Sequence, residues 1–236
     1  MRKLAGYHRH DMLDLIKGDG LIGVELGVAA GDYSARMVAS GRFAEFFGVD
    51  MYADTHDVAQ YKTALRKVGL HGPYKLLRMS FAEAYDLFED ESLDFIYIDG
   101  YAHSGQEGGE TIWQWARKVK IGGLIAGDDY HYDWPLVKEA VDRFLDYTGF
   151  EGYMTTEVEP DVNYASHPSW GAIKIAAVQG EAPADLVERG KAVGARIAAK
   201  RKAGKRFGDW LHGVVGDDRY ARLRAWNRAR KAARKG

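Results

Sequence analysis

Short apolar runs alternate with amphipathic stretches over the first 180 residues. Leu21–Leu26, Phe46–Val49, Tyr74–Arg78, Leu93–Ile98 and Gly122–Ala126 are brief, apolar and bounded by glycine or acid, as buried strands are. Between and after them, Asp32–Ala39, Asp54–Val68, Ser80–Phe88, Gln106–Val119 and Trp134–Tyr147 carry helical periodicity. Ser80 stands at capping-box spacing from Glu83, and Pro135 falls in a first turn. Gly152–Val158 and Gly171–Val178 read as two closing strands, expected to pair antiparallel. A short helix is expected around His10–Lys17, stopped by Gly18-Asp19-Gly20. Strands alternating with helices predict an α/β domain: a seven-stranded, mostly parallel sheet with helices on both faces. The expected divisions are a helical segment 1–20, a catalytic domain 21–180 and a helical extension 181–236.

The stretch LIGVELGVAAGDYS, Leu21 to Ser34, is where a strand turns through Gly27 and Gly31 into a helix. Such turns build nucleotide sites in α/β sheets, because glycine lets the backbone approach a ligand and free amides open the helix. Ala29 stands where the dinucleotide fingerprint needs its second glycine, so this is not G-x-G-x-x-G.

Acids recur at the carboxyl ends of the strands, where ligands bind in such sheets: Glu25, Asp50, Asp99, Asp128 and Asp129. Ser80 ends a strand too. Asp50, at the end of the second strand, is placed to accept hydrogen bonds from an adenosine ribose, and Met51 and Phe81 could flank an adenine. Asp99, Asp128 and Asp129 end adjacent strands. Three neighbouring carboxylates repel unless a cation neutralises them. Oxygen ligands suit Mg²⁺, Mn²⁺ or Ca²⁺.

Charge and composition narrow the picture. Residues 181–236 hold 16 Lys and Arg against 6 Asp and Glu, so a basic tail follows an acidic body and the whole sums to −1. No cysteine is present, which excludes disulfides and thiolate chemistry. No apolar run reaches the length of a membrane span, and the first residues lack a secretory h-region, so a cytoplasmic location is expected.

Motif I here, E-x-G-x-x-x-G, resembles that of class I S-adenosylmethionine (SAM) methyltransferases. D-F-I-Y-I-D-G, then His103, Trp113 and I-G-G-L-I-A-G-D-D-Y, resemble the metal-dependent O-methyltransferases of the macrocin type, which methylate antibiotic sugars. The resemblance covers roughly residues 20–178. It implies a Rossmann-like fold, SAM bound by Glu25, Gly27, Gly31, Ser34, Asp50, Met51, Ser80, Phe81 and Asp99, and Mg²⁺ (or Mn²⁺) on Asp99, Asp128 and Asp129. It implies a base soon after the first aspartate, His103, with His131 in reserve. It implies a homodimer. The chain departs from the pattern by one extra residue before His103 and by Asp32-Tyr33 before Ser34. Tyr130, His131 and Trp134 are candidates for the acceptor pocket, whereas Trp113 and Trp115 are expected to pack helices on the sheet.

The expected reaction is Mg²⁺-dependent methylation of a hydroxyl on a sugar or other small molecule. A metal-bound oxygen loses its proton more readily, and a nearby base takes it. Two rivals differ in kind. A nucleic-acid methyltransferase would use the basic tail, yet no N-P-P-Y motif follows the fourth strand. A binding platform would keep the fold without catalysis. An NAD-dependent oxidoreductase is disfavoured by Ala29.

Overall fold

A computed structural model describes residues 1–53, 56–100, 109–159, 165–219, 222, 223 and 226. The chain forms two compact units, Met1–Ala192 and Val193–Gly236. The first holds β1 (Arg2–Leu4), a 3₁₀ segment (Arg9–Leu15), β2 (Leu21–Leu26), α1 (Asp32–Ala39), β3 (Phe43–Val49) and α2 (Val58–Val68). There follow β4 (Tyr74–Leu77), α3 (Phe81–Tyr85), β5 (Leu93–Ile98), α4 (Glu110–Lys118), β6 (Val119–Gly127), α5 (Pro135–Thr148), β7 (Gly152–Thr155) and β8 (Trp170–Ile173). Helix α6 (Ala184–Val215) begins in the first unit and continues into the second.

One sheet runs in the order β1-β7-β8-β6-β5-β2-β3-β4. Every pairing is parallel except those of β8, which runs antiparallel to both β6 and β7. This is the mostly parallel sheet that the alternation of strands and helices predicts, with the antiparallel closing pair. It has one strand more than expected. Residues 2–4 lie parallel to β7 at the sheet edge, a strand of three residues, two of them basic, with no apolar pattern to announce it.

Alternate side chains of the central strands feed two cores. Ile96 and Ile98 of β5 enter one with Val24, Leu26, Trp113, Trp115 and Phe144. Phe95 and Tyr97 enter the other with Tyr33, Phe46 and Met12, Leu13 and Ile16 from the N-terminal segment. That segment is the short helix expected around His10–Lys17, and it takes 3₁₀ form over Arg9–Leu15. Its last carbonyls are taken by Arg42, whose guanidinium donates to Leu13 O at 2.9 Å and Ile16 O at 2.7 Å. A side chain thus satisfies the acceptors a longer helix would have paired.

Local capping follows the sequence. Ser80 caps α3 and exchanges hydrogen bonds with Glu83, the predicted box. Asp57 caps α2 by accepting from the backbone N–H of Ala59 and Gln60, so the helix starts later than Asp54. The two tryptophans of α4 are buried between helix and sheet. Trp113 meets Phe144 edge-on at 5.0 Å and Trp115 meets Tyr85 at 5.8 Å. Replacing Trp113 by Ala is expected to cost about 3–5 kcal/mol, read as a lower urea midpoint with an unchanged slope.

Candidate active site

The chain reverses its direction of travel across the sheet between β2 and β5. Strands β3 and β4 lie to one side of β2, and β5 and β6 to the other. The crevice beyond the carboxyl ends of β2 and β5 is therefore the expected ligand position. The two loops that bound it are tied together. Leu26 O accepts from the N–H groups of Asp99 and Gly100, at 2.8 and 2.7 Å, and Gly27 N–H donates to Val49 O at 2.9 Å.

Gly27 has no alternative in this position. Its φ is +98°, and a Cβ there would lie 2.6 Å from Gly100 N. Gly31 precedes α1 at φ +81°, and a Cβ would press on Ala64 Cα of α2 at 3.0 Å. Ala29 sits at φ 49°, a left-handed conformation that costs an L-residue roughly 1–2 kcal/mol. The loop bends there as a glycine would allow.

Asp50 holds that strained loop. Its Oδ2 accepts from the backbone N–H of Val28 and of Ala29, both at 3.0 Å, and lies 2.6 Å from His56 Nδ1. Its Oδ1 accepts from Tyr52 N–H at 3.0 Å. Burial alone would raise this carboxyl, but the bonds from His56, Tyr52 and Ala29 hold it below the usual range. A carboxylate offers about four acceptor positions, so Oδ1 retains capacity for a ligand hydroxyl.

Glu25 meets helix α1. It is buried, and accepts a hydrogen bond from Ser34 Oγ, which also meets Tyr74 OH at 3.0 Å. Burial pushes its carboxyl up to about 8, against the pull of Ser34 and Arg9. Ser34, expected at the cofactor, is thus committed to Glu25 beneath the loop.

The carboxylate trio does gather at the ends of β5 and β6, but with a cation of the protein's own. Arg9 NH1 lies 3.5 Å from Asp99 Oδ2 and 3.5 Å from Asp128 Oδ2. The guanidinium is buried, 7 % exposed, and lies 5.2 Å over the Tyr33 ring. Tyr33 in turn stacks on Tyr97 at 4.0 Å. Asp128 Oδ1 accepts from Ser169 Oγ at 2.9 Å, and Ser169 Oγ meets Tyr97 OH at 2.8 Å. Burial pushes both carboxyls upward, helped by Asp128 in the case of Asp99 and by Asp129 in the case of Asp128, and Arg9 opposes this. Asp129 is buried beside them at φ 60°.

A divalent ion was expected here because three carboxylates stood uncompensated. Arg9 removes that reason for two of them. Arg9 sets one positive charge against three carboxylates, and the three are not among the described clusters whose ligand atoms stand close enough to share an ion. Among the described residues, the clusters whose ligand atoms all lie within 4.8 Å are His8/His10/Asp11 and His131/Asp133/His167.

Other expected residues fall variously. Met51 and Phe81 are half-buried at the ends of β3 and β4, and Phe81 lies against Gly100, where a Cβ would come within 2.1 Å of its ring. Ser80 spends its hydroxyl on the α3 cap. Tyr130 is buried, and its hydroxyl donates to Asp142 of α5 at 2.5 Å and receives Lys138 at 3.2 Å, so it faces the helix rather than an acceptor. His131 is half-exposed, and Trp134 opens α5 with its ring 5.9 Å from His167. His103 lies outside the described residues. Arg9, His56, Ser169 and His167 carried no local signal, because each gains its place through contacts far along the chain.

Residues 24–130 match the family model of a methyltransferase domain. No curated protein matches the chain. Among solved structures, a SAM-dependent O-methyltransferase from Thermotoga maritima is 18% identical with a TM-score of 0.52, over 72% of this chain and 64% of its own. The spermidine synthase of the same organism is 13% identical with a TM-score of 0.56, over 73% of this chain and 61% of its own. A cofactor-bound structure from MTB is 10% identical at 0.51, over 65% of this chain and 72% of its own. At these identities the likeness shows the fold, a Rossmann-like methyltransferase fold. The domain match covers a little under half of the chain, and the fold around it is the one that domain takes. The matched residues include Glu25, Gly27, Gly31, Asp50, Asp99, Asp128 and Asp129 but not Arg9.

Two outcomes follow from the buried charges. Arg9→Ala leaves Asp99 and Asp128 facing each other and is expected to cost about 3–5 kcal/mol at neutral pH. The loss should shrink in the Arg9→Ala/Asp128→Asn double variant, read by urea unfolding. Glu25 keeps its proton in the folded chain up to about pH 8, while the unfolded chain releases it near 4.5. Its contribution is therefore full below pH 4.5 and declines as pH rises through 8. Stability of Glu25→Gln, measured from pH 4.5 to 8, should decline less than that of the unaltered chain.

Proposed function

We propose that this chain transfers a methyl group from SAM to a hydroxyl of a sugar or other small molecule. The observation that carries the reading is the crevice itself. A glycine turn clamped by Asp50 lies directly against the β5 end that presents Asp99. The residues fit the cofactor: the loop excludes side chains at Gly27, Asp50 has an acceptor position left for a ribose hydroxyl, and Phe81 offers a ring beside Gly100. The bound cofactor supplies an electrophilic sulfonium methyl.

The protein's part is positioning and proton handling. The clamped loop fixes the donor before binding, so little ordering remains to be done on reaction. Asp99 and Asp128, spanned by Arg9, keep an acidic but rigid wall at the reacting end. His103 is the group we assign to removing the acceptor's proton, with His131 as the reserve. This reading routes no step through Mg²⁺ or Mn²⁺ at the aspartates. No helix among the described residues is long and apolar enough to cross a membrane.

Calorimetric titration with S-adenosylhomocysteine is the direct test. Micromolar binding is expected, with or without Mg²⁺, and none with NAD. Gly27→Ala should abolish it, and Asp50→Ala should weaken it at least about tenfold, or 1.4 kcal/mol. Absence of binding by the folded, unaltered chain would end the methyltransferase reading. His103→Ala turning over an accepted hydroxyl substrate at the normal rate across pH would remove His103 from its role.

A further inference from the structure

The loops that leave β6 and enter β8 bring two histidines and an aspartate together beside the aspartate trio. Strands β6 and β8 are neighbours, with Gly127 opposite Trp170, so the segment 131–133 and residue 167 share the same rim of the sheet. His131 Nδ1 lies 3.3 Å from Asp133 Oδ2, and His167 Nε2 lies 3.4 Å from that same oxygen. The two imidazole rings meet edge-on at 4.9 Å.

Two features separate this cluster from an ordinary polar surface. First, His167 Nε2 is wholly shielded from solvent and makes no hydrogen bond. A buried polar nitrogen in that state calls for a partner. Second, the spacings of 3.3 and 3.4 Å are long for charge-assisted hydrogen bonds, which run about 2.7–2.9 Å. They match the edges of a tetrahedron around an ion with bonds of about 2.0 Å, whose ligands stand ~3.3 Å apart. His131 Nδ1 also receives the backbone N–H of Asp133 at 3.2 Å, a contact that an ion would replace.

The other cluster, His8/His10/Asp11, has similar spacings of 3.4 and 3.5 Å, but its groups have other partners. Asp11 there is bonded to His8 N–H at 2.8 Å, and His10 is 2.9 Å from Arg36.

We propose that His131, Asp133 and His167 bind a divalent transition-metal ion, with Zn²⁺ chemistry the best match to two imidazoles and one carboxylate. Three protein ligands leave a coordination position open. A water or a ligand oxygen could complete the site. The three ligands lie outside the matched residues 24–130, so the site is a feature of this chain's own loops. The inference does not depend on the methyl-transfer reading.

Cobalt is the probe, because tetrahedral Co²⁺ shows strong visible bands. Titration of the metal-stripped full chain should develop the bands at one equivalent, and Zn²⁺ should bleach them. Asp133→Asn and His167→Ala should each weaken binding at least about tenfold, while Asp128→Asn leaves it intact. Asp133 is exposed, so its variant tests the site without a risk to the fold. Equal Co²⁺ affinity in Asp133→Asn and the unaltered chain would overturn the proposal. So would loss of the bands in Asp128→Asn, or no stoichiometric binding by the unaltered chain. Homocysteine-cofactor binding is measured in parallel on each variant. Its absence alongside intact cobalt bands would remove the methyltransferase reading and leave this site standing.

Discussion

A guanidinium buried between two carboxylates is the contact on which the reacting end of this sheet depends. Parallel strands ending side by side deliver Asp99 and Asp128 to one place, and the same geometry makes them repel. Arg9 resolves the conflict from outside the sheet, on a segment anchored by Met12, Leu13 and Ile16 in the second core. Packing and electrostatics are therefore not separate here. The apolar side chains fix the segment, the segment fixes the cation, and the cation permits two acids to be buried. Ser169 and the Tyr33–Tyr97 stack complete the surroundings.

The glycine turn shows a second use of the same economy. Ala29 in a left-handed conformation is a local penalty, and Asp50 repays it with two backbone hydrogen bonds. The result is a loop that is already in shape before a ligand arrives. His56 and Tyr52 then hold Asp50, so rigidity at the crevice passes outward through side chains rather than through the loop alone.

What the sequence made legible was what local physics determines. Strands β2 and β5 and helix α1 fall on their expected boundaries, because fully buried strands are continuous apolar runs closed by glycine or acid. The Ser80–Glu83 box was equally visible, since its partners are three residues apart. Positions at strand ends could be read, but not the partners waiting there. Asp50 reads as an acid for a ribose, and its bonds to Val28 and Ala29 cannot be seen before the loop is folded. The aspartate trio reads as a site short of positive charge, because Arg9 stands 90 and more residues away from it. Tyr130 reads as a pocket residue because its partners Lys138 and Asp142 belong to the next helix. Strand β1 has neither length nor apolar pattern, and exists only by virtue of its neighbour.

That edge strand bears on the order in which the protein comes into being. Arg2–Leu4 pair with Tyr153–Thr155, and Gly6 N–H reaches Thr156 Oγ1 across 150 residues. Contacts so distant in sequence form late, because a long loop must close before they stabilise anything. The N-terminal residues must therefore wait, unpaired at this edge, while the rest of the sheet is synthesised. Arg9 is anchored separately, by Met12, Leu13 and Ile16 in the core, so its acids can be matched while the edge still stands open. A nascent chain would pass through a stage with its central strands built and its site charges paired before the last edge closes.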